Sequence, residues 1–262
     1  GQTFMSGPLS SFDAIFKPVL KENDDEITWT FNIRSNRGTL NSFNTGNSNY
    51  APAVVLVSSD SDFLSTNAHG YSVTLLRSSS ASNNGIYSLV KFNNGMGSDN
   101  NITSIIESEA GQVIGSNYAS VKVVYNPSND TWKMYIRDDG NDNKLDPSVE
   151  ADTNPYQQAG SDVVDDTYTN HLMTHCGFLF NHGISSSGPN SKAMFDNFGV
   201  LYGEQAKSTL ATLSDLQVSL DGTGYNTLMM FNSLTYNYQY YLTKDHPLPL
   251  VSATKSSEKA SD

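Results

Sequence analysis

The chain's densest run of chemically capable side chains lies between Asp138 and Asp146, Asp-Asp-Gly-Asn-Asp-Asn-Lys-Leu-Asp. Hard carboxylate and amide oxygens at this spacing are what calcium prefers, and the expected ligands are Asp138, Asp139, Asn141, Asp142 and Asp146, joined by Asp165 or Asp166. The run lacks the twelve-residue spacing and terminal Glu of an EF-hand. A solvated loop using Asp, Asn and Gly for its turns is the competing reading. Asp196 with the N-terminal acids is a second place for a cation. His171 and His175 fall on one face of an extended segment, as zinc ligands would, but no third ligand stands near them in sequence.

Catalytic patterns are sparse. Retaining glycoside hydrolysis needs two carboxyls about 5 Å apart. The nearest arrangement is Glu107-Ser-Glu109, whose acids share a strand face without a third acid. The chain contains no G-x-S-x-G, no H-E-x-x-H and no phosphate loop. Cys176 sits in the apolar run Cys-Gly-Phe-Leu-Phe, where a thiolate is disfavoured, and reads as a small core residue. Sugars pack their C–H faces on aromatic rings in shallow sites. Tyr50, Tyr87, Tyr156 and Tyr168, in loops or on polar faces, are the candidate platforms. Trp29 and Trp132 alternate in phase with Phe31/Ile33 and Met134/Ile136, which makes them core.

The elements that must position these residues are strands. Tyr118–Tyr125 and Thr131–Arg137 alternate with period two around Asn-Pro-Ser-Asn-Asp, an antiparallel hairpin with one dry and one wet face. Ile27, Trp29, Phe31 and Ile33 mark another half-buried strand. Pro52–Val57, Gly70–Arg77, Ile86–Phe92, Ile102–Glu107 and Ala193–Tyr202 are further strands, and 167–182 is one bent strand or two. Residues 1–26 read as a solvated lead-in and 138–166 as a long acidic loop. No segment up to residue 203 has helical periodicity. The class is therefore all-β, an antiparallel jelly-roll β-sandwich over 1–203, with a second small β module over 204–262 built from strands near 213–220, 234–242 and 249–254.

Bulk properties narrow the partners. The 262 residues are 37% hydrophobic and 16% charged, with a net charge of −12, which argues against nucleic acid and anionic membrane surfaces. One cysteine permits no internal disulfide. No apolar run is long enough to span a bilayer. Gly1-Gln2 reads as a trimmed start, and the absence of a closing hydrophobic strand after Thr254 as a truncated second module. The triplets at Asn101 and Asn129 matter only in a host that glycosylates.

Three features together resemble the concanavalin A-like (laminin G-like) jelly roll of secreted Bacteroidetes proteins. They are Ile27-Thr-Trp-Thr-Phe-Asn-Ile-Arg34 followed by a Gly/Asn loop and Ala-Val-Val-Leu-Val, the hairpin Val121 to Gly140, and Met194-Phe-Asp-Asn-Phe-Gly-Val200. The likeness covers about 25–203. Leu213-Ser-Asp-Leu-Gln-Val, Tyr236 to Leu242 and Pro249-Leu-Val-Ser-Ala-Thr254 resemble the first half of a cadherin-like repeat. The resemblance implies an exported, secreted or cell-surface, non-catalytic binding or adhesion module within a larger multidomain chain, with a glycan as partner and calcium as possible cofactor. Some jelly rolls of this class resemble family 16 glycosidases, whose E-x-D-x-x-E strand Glu107-Ser-Glu109 matches only in part. A glycoside hydrolase or lyase is the alternative, and a structural or protein-interaction spacer is a third.

Overall fold

The structure is a computed structural model that describes residues 1–11, 17–77, 85–141, 145–150, 153–183, 192–203, 213–219, 226–227 and 250–255. The chain forms two compact units, Gly1–Gly203 and Glu204–Asp262. In the first, eleven strands are described: β1 Gln2–Pro8, β2 Ile27–Ser35, β3 Ala51–Ser58, β4 Gly70–Arg77, β5 Gly85–Phe92, β6 Ile102–Glu107, β7 Tyr118–Asn126, β8 Thr131–Gly140, β9 Gln157–Val164, β10 His175–Asn181 and β11 Ala193–Tyr202. They make a six-stranded sheet, β1-β10-β3-β4-β5-β6, and a five-stranded sheet, β11-β2-β7-β8-β9, with antiparallel pairing throughout. This is the jelly-roll β-sandwich that the alternating patterns require. The second unit holds β12 Leu213–Ser219, β13 Asn226–Thr227 and β14 Leu250–Lys255 in the order β13-β12-β14. The segment 234–242, expected to be a strand, lies outside the described residues.

The period-two runs of β7 and β8 bury mainly one face, whereas β2, expected to be half-buried, is buried on both, with Thr28, Thr30 and Asn32 covered as well. Ile27, Trp29, Phe31 and Ile33 of β2, Val121 and Val123 of β7, and Trp132, Met134 and Ile136 of β8 meet Val54, Tyr71, Val73, Leu75, Tyr87 and Leu89 from the other sheet. Each large apolar side chain contributes roughly 1.5–3 kcal/mol by leaving water. Trp132 sits at the centre as a core residue. Its ring lies 4.4 Å from that of Tyr71, 4.6 Å from Tyr125 and 5.9 Å from Trp29. The indole N–H donates to the Asp165 carbonyl at 3.0 Å. Tyr71 and Tyr125 in turn donate to the carboxylates of Asp165 and Asp130, which Lys91 and Lys21 neutralise. The aromatic centre is thus tied to the loops at one end of the sandwich through two satisfied polar clusters.

Two edges depart from expectation. Residues 2–8, expected to be a lead-in, form edge strand β1, and 157–164, expected to be loop, form edge strand β9. β9 is mostly polar and β1 mixes polar residues with Phe4 and Met5; both carry Gly or Pro, as edge strands do to blunt their free backbone groups, and neither shows a clean alternating signal. The long run 167–182 resolves into turns followed by β10 alone. Two glycines let the edges pair. Gly177 (φ 152°) admits β1, since a Cβ there would lie 2.0 Å from the Met5 carbonyl oxygen. Gly160 (φ 63°) admits β6, because a Cβ would stand 2.9 Å from the Glu107 carbonyl. The sheets consequently meet along β6 and β9.

Candidate functional site

The six-stranded sheet carries a second apolar cluster on its outer face. Ala51, Ala53 and Val55 of β3, Phe92 of β5 and Leu179 of β10 are covered by Phe43, Phe63, Ala68 and Met96 from the loops around 41–50, 59–69 and 93–101. These loops knit to one another: Gly95 N–H donates to the Ala68 carbonyl at 2.9 Å and Met96 N–H to that of Phe63 at 2.8 Å. Buried Asn181 holds the first loop from beneath, donating to the carbonyls of Ser42 and Asn44. Asp99 holds it from the side, accepting from Ser42 Oγ at 2.6 Å, Phe43 N–H at 2.7 Å and Asn44 Nδ2 at 2.9 Å. Asn44 Oδ1 returns the contact by accepting from Asp99 N–H at 3.1 Å and Ser98 Oγ at 2.9 Å.

Where this roof ends, an open groove of about 270 Å³ crosses β4, β5 and β6. It is lined by Thr74 and Leu76 of β4, Ser88 and Val90 of β5, Ile102, Ser104 and Glu107 of β6, and Asn41, Phe43 and Asp99 of the loops. Pairing explains the assembly. Thr74 opposes Ser88, Ser88 opposes Glu107, and Val90 opposes Ser104. A register shift between Leu89 and Val90 brings Ser104 and Glu107, three positions apart, to the same face. Small hydroxyl side chains on three adjacent strands leave the concavity. Glu107 and Ser104 are exposed, so their oxygens face solvent across the groove. The groove sets hydroxyl, amide and carboxylate groups beside the apolar side chains of Leu76, Val90 and Ile102, which suits a polyol with alternating O–H and C–H surface.

The residues singled out from sequence are distributed elsewhere. Tyr50 is 3% exposed, with the Arg37 guanidinium 3.5 Å above its ring. Tyr87 is 1% exposed because the phase of β5 turns it inward and puts Ile86 outside. These two rings are therefore core surfaces rather than open platforms. Tyr156 is half-buried between cations, Lys122 Nζ at 4.6 Å and Arg137 Cζ at 4.9 Å from its centroid, and its hydroxyl donates to the Pro147 carbonyl at 2.7 Å. Burial raises its pKa above the ordinary phenol range. Tyr168 is half-buried against His69 and His171. None of the four lines the groove.

The acidic run is also spent internally. Asp138 accepts from Ile114 N–H, Asn117 Nδ2 and Gly140 N–H at 2.8–3.1 Å. Asp139 is buried and paired with Arg137 Nε at 2.7 Å, and it also accepts from Ser120 Oγ at 2.6 Å and Leu145 N–H at 3.1 Å. Asn141 offers its side-chain and backbone oxygens to Arg34 at 2.6 and 2.9 Å. Asp146 caps Ser148 through its side chain, and its carbonyl accepts from Arg137. Asp142 lies outside the described residues. Among the described residues, two guanidiniums and a set of N–H donors thus occupy the oxygens that calcium would need, and those donors do not fit the metal. Among the described residues no three His, Cys, Asp or Glu side chains converge to hold an ion.

His171 bonds His69 rather than pairing with His175, with Nδ1···Nε2 at 2.9 Å, while His175 Nδ1 meets its neighbour Thr174. Glu107 enters the groove and Glu109 stands outside it. Cys176 is buried, and its thiol is pushed up to about 12 by that burial. Sequence reasoning missed Asp99, Asn41, Ser88 and Ser104. A legible signal exists for part of this set: Ser88 and Ser104 follow Thr74 as small hydroxyl residues on the outer face of successive strands.

No protein-family model and no curated protein matches the sequence. Among solved structures the chain is similar to a GH131 beta-glucanase catalytic domain from Podospora anserina, at 10% identity and TM-score 0.39, covering 77% of this chain and 65% of that one. It is likewise similar to lectin I-B4 from Griffonia simplicifolia in its metal-free form, at 11% identity and TM-score 0.39, covering 78% and 80%. A lectin from Bauhinia forficata in complex with GalNAc aligns at 11% identity and TM-score 0.36, covering 76% and 91%. Likenesses this distant leave function to the geometry of the site.

Proposed function

We propose that this chain is a non-catalytic carbohydrate-binding module and that the groove over β4, β5 and β6 is its glycan site. The observation that carries the reading is the grouping of Thr74, Ser88, Ser104 and Glu107 with apolar Leu76, Val90 and Ile102 in one groove bordered by the braced loop residues Asn41 and Phe43. Such a surface satisfies sugar hydroxyls and packs their C–H faces without a deep pocket. The loop is held by Asp99 and Asn181 before any ligand arrives, so binding spends little on ordering it.

Two carboxylates line the groove, which is the feature a glycoside hydrolase or lyase would need. Asp99, however, already accepts three hydrogen bonds from the loop it braces. Glu107 is left as a single open acid, a better hydrogen-bond acceptor for a sugar than half of a catalytic pair. In the same reading the module is exported and works at a cell surface as part of a longer chain, and the second unit is a cadherin-like repeat. The acidic surface and the strand patterns of 213–254 support this placement.

A glycan array followed by titration calorimetry tests the proposal. Ser104→Trp fills the groove from an exposed position and is expected to abolish binding, while Glu107→Gln weakens it about tenfold by removing a charged acceptor. Wild-type protein that retains no glycan, or a Ser104→Trp variant that binds as well as wild type, overturns it. Absence of reducing-end release on the bound glycan separates binding from hydrolysis.

A further inference from the structure

The groove over β4, β5 and β6 has a charge of one sign. Its lining includes two carboxylates, Asp99 and Glu107, and no lysine, arginine or histidine. Elsewhere the fold neutralises its well-placed acids with cations: Lys21 pairs with Asp130, Lys91 with Asp165 and Arg137 with Asp139. Asp99 is held differently. Its oxygens accept from the Ser42 hydroxyl, the Phe43 N–H and the Asn44 side-chain amide, at 2.6, 2.7 and 2.9 Å. All three donors are neutral, so they fix the carboxylate without cancelling its charge. Glu107, the last residue of edge strand β6, is exposed and takes part in none of the ion pairs among the described residues.

Strand pairing sets Glu107 among hydroxyl groups. Ser88 stands opposite it, Thr74 stands opposite Ser88, and Ser104 lines the same groove. Carboxylate and hydroxyl oxygens accept hydrogen bonds, and an ammonium brings three donors and no acceptor. We propose that the groove selects a cationic amino sugar, a hexosamine whose amine is free and protonated, over neutral and acidic glycans. This rests on the glycan reading of the groove and narrows it to a ligand class. The ring amine supplies the positive charge that two carboxylates in one concave, partly apolar site attract more strongly than bulk water allows. Leu76, Val90 and Ile102 take the C–H surface of the same ring. An N-acetylated sugar keeps the ring and its hydroxyls but loses the charge. A uronate brings a third carboxylate to a lining without a base, on a chain of net charge −12.

The test titrates the whole chain by calorimetry with three oligosaccharides of equal length, at about pH 6, where amines are charged and carboxylates ionised. They are a β-1,4-glucosamine oligomer, its fully N-acetylated counterpart and a galacturonate oligomer. The expected result is that the glucosamine oligomer binds about tenfold tighter than the acetylated one, with the uronate weakest. Glu107→Gln should narrow the tenfold preference to about threefold or less, and salt at about 0.5 M should narrow it as well. Ser104→Trp should remove binding of both hexosamine oligomers. Equal or tighter binding of the acetylated or uronate probe, or a preference that neither Glu107→Gln nor salt changes, overturns the amino-sugar assignment and leaves the groove as a glycan site. Glucosamine binding that survives Ser104→Trp puts the cation elsewhere on the acidic surface and overturns the assignment too. Failure of every glycan, on the array and in these titrations, overturns both readings.

Discussion

Replacing Asp139 by Asn tests the assignment of the acidic run most sharply. The Arg137 and Asp139 side chains are 1% and 0% exposed and meet at 2.7 Å. Arg137 also donates to Ser120 Oγ and to the carbonyls of Asp146 and Val149, so its guanidinium has no access to water after the substitution. Stranding one member of such a pair costs about 3–5 kcal/mol. For a unit of this size each kcal/mol moves the midpoint by about 2–4 °C, which places the loss at about 6–20 °C. Arg137→Met should cost a similar amount. The Arg137→Met/Asp139→Leu double variant should recover most of the loss, giving a coupling energy above about 2 kcal/mol. Scanning calorimetry of the four proteins, each with calcium and with EDTA, measures both quantities. A single-variant loss below about 1 kcal/mol refutes the ion-pair reasoning. So does a calcium-dependent rise in the wild-type midpoint, because it would show that the oxygens are available to metal.

Three other consequences are open to measurement. His69 is held below the ordinary imidazole range by burial and by the neighbouring His171 charge, so the folded state takes up its proton less readily than the unfolded chain. Stability should therefore be full above about pH 6.5 and fall as pH drops below it, and His69→Gln should flatten that slope in a pH series of melts. Asp99→Ala removes the acceptor for three loop donors and should speed hydrogen exchange at Phe43 N–H about tenfold or more without unfolding the sandwich. Unchanged exchange would show that the loop is braced by other means. Gly160→Val forces a branched side chain into φ 63° and against the Glu107 carbonyl, so it should destabilise the unit by about 2 kcal/mol or more in urea melts.

The inner face of the fold was legible in the sequence because period-two alternation states which side chains meet. Trp29 and Trp132 were placed in the core by phase alone, and the structure puts them there. Edge strands β1 and β9 were not legible, since an edge is protected by polarity and glycine, the composition of a loop. The acidic run is legible only in part, for a different reason. Oxygen density says nothing about what the oxygens face, and among the described residues the partners are Arg137, two positions before Asp139 on β8, and Arg34 of β2, which reaches Asn141. Tyr87 was misplaced by one residue of phase, which in a strand is the whole distance between solvent and core. The groove depends on a register shift between β5 and β6 and on loops around 41–50 and 93–101 meeting through Asp99, neither of which leaves a local pattern.

The central claim is that a glycan occupies the hydroxyl-lined groove over β4, β5 and β6. Chemical-shift perturbation of the amide spectrum during titration with a glycan selected on an array reads this directly. The account predicts that shifts concentrate at Thr74, Ser88, Ser104, Glu107 and the 41–44 loop, and that Ser104→Trp removes them. Shifts confined to the edge strands β1 and β11, or to the 138–146 loop, would contradict it.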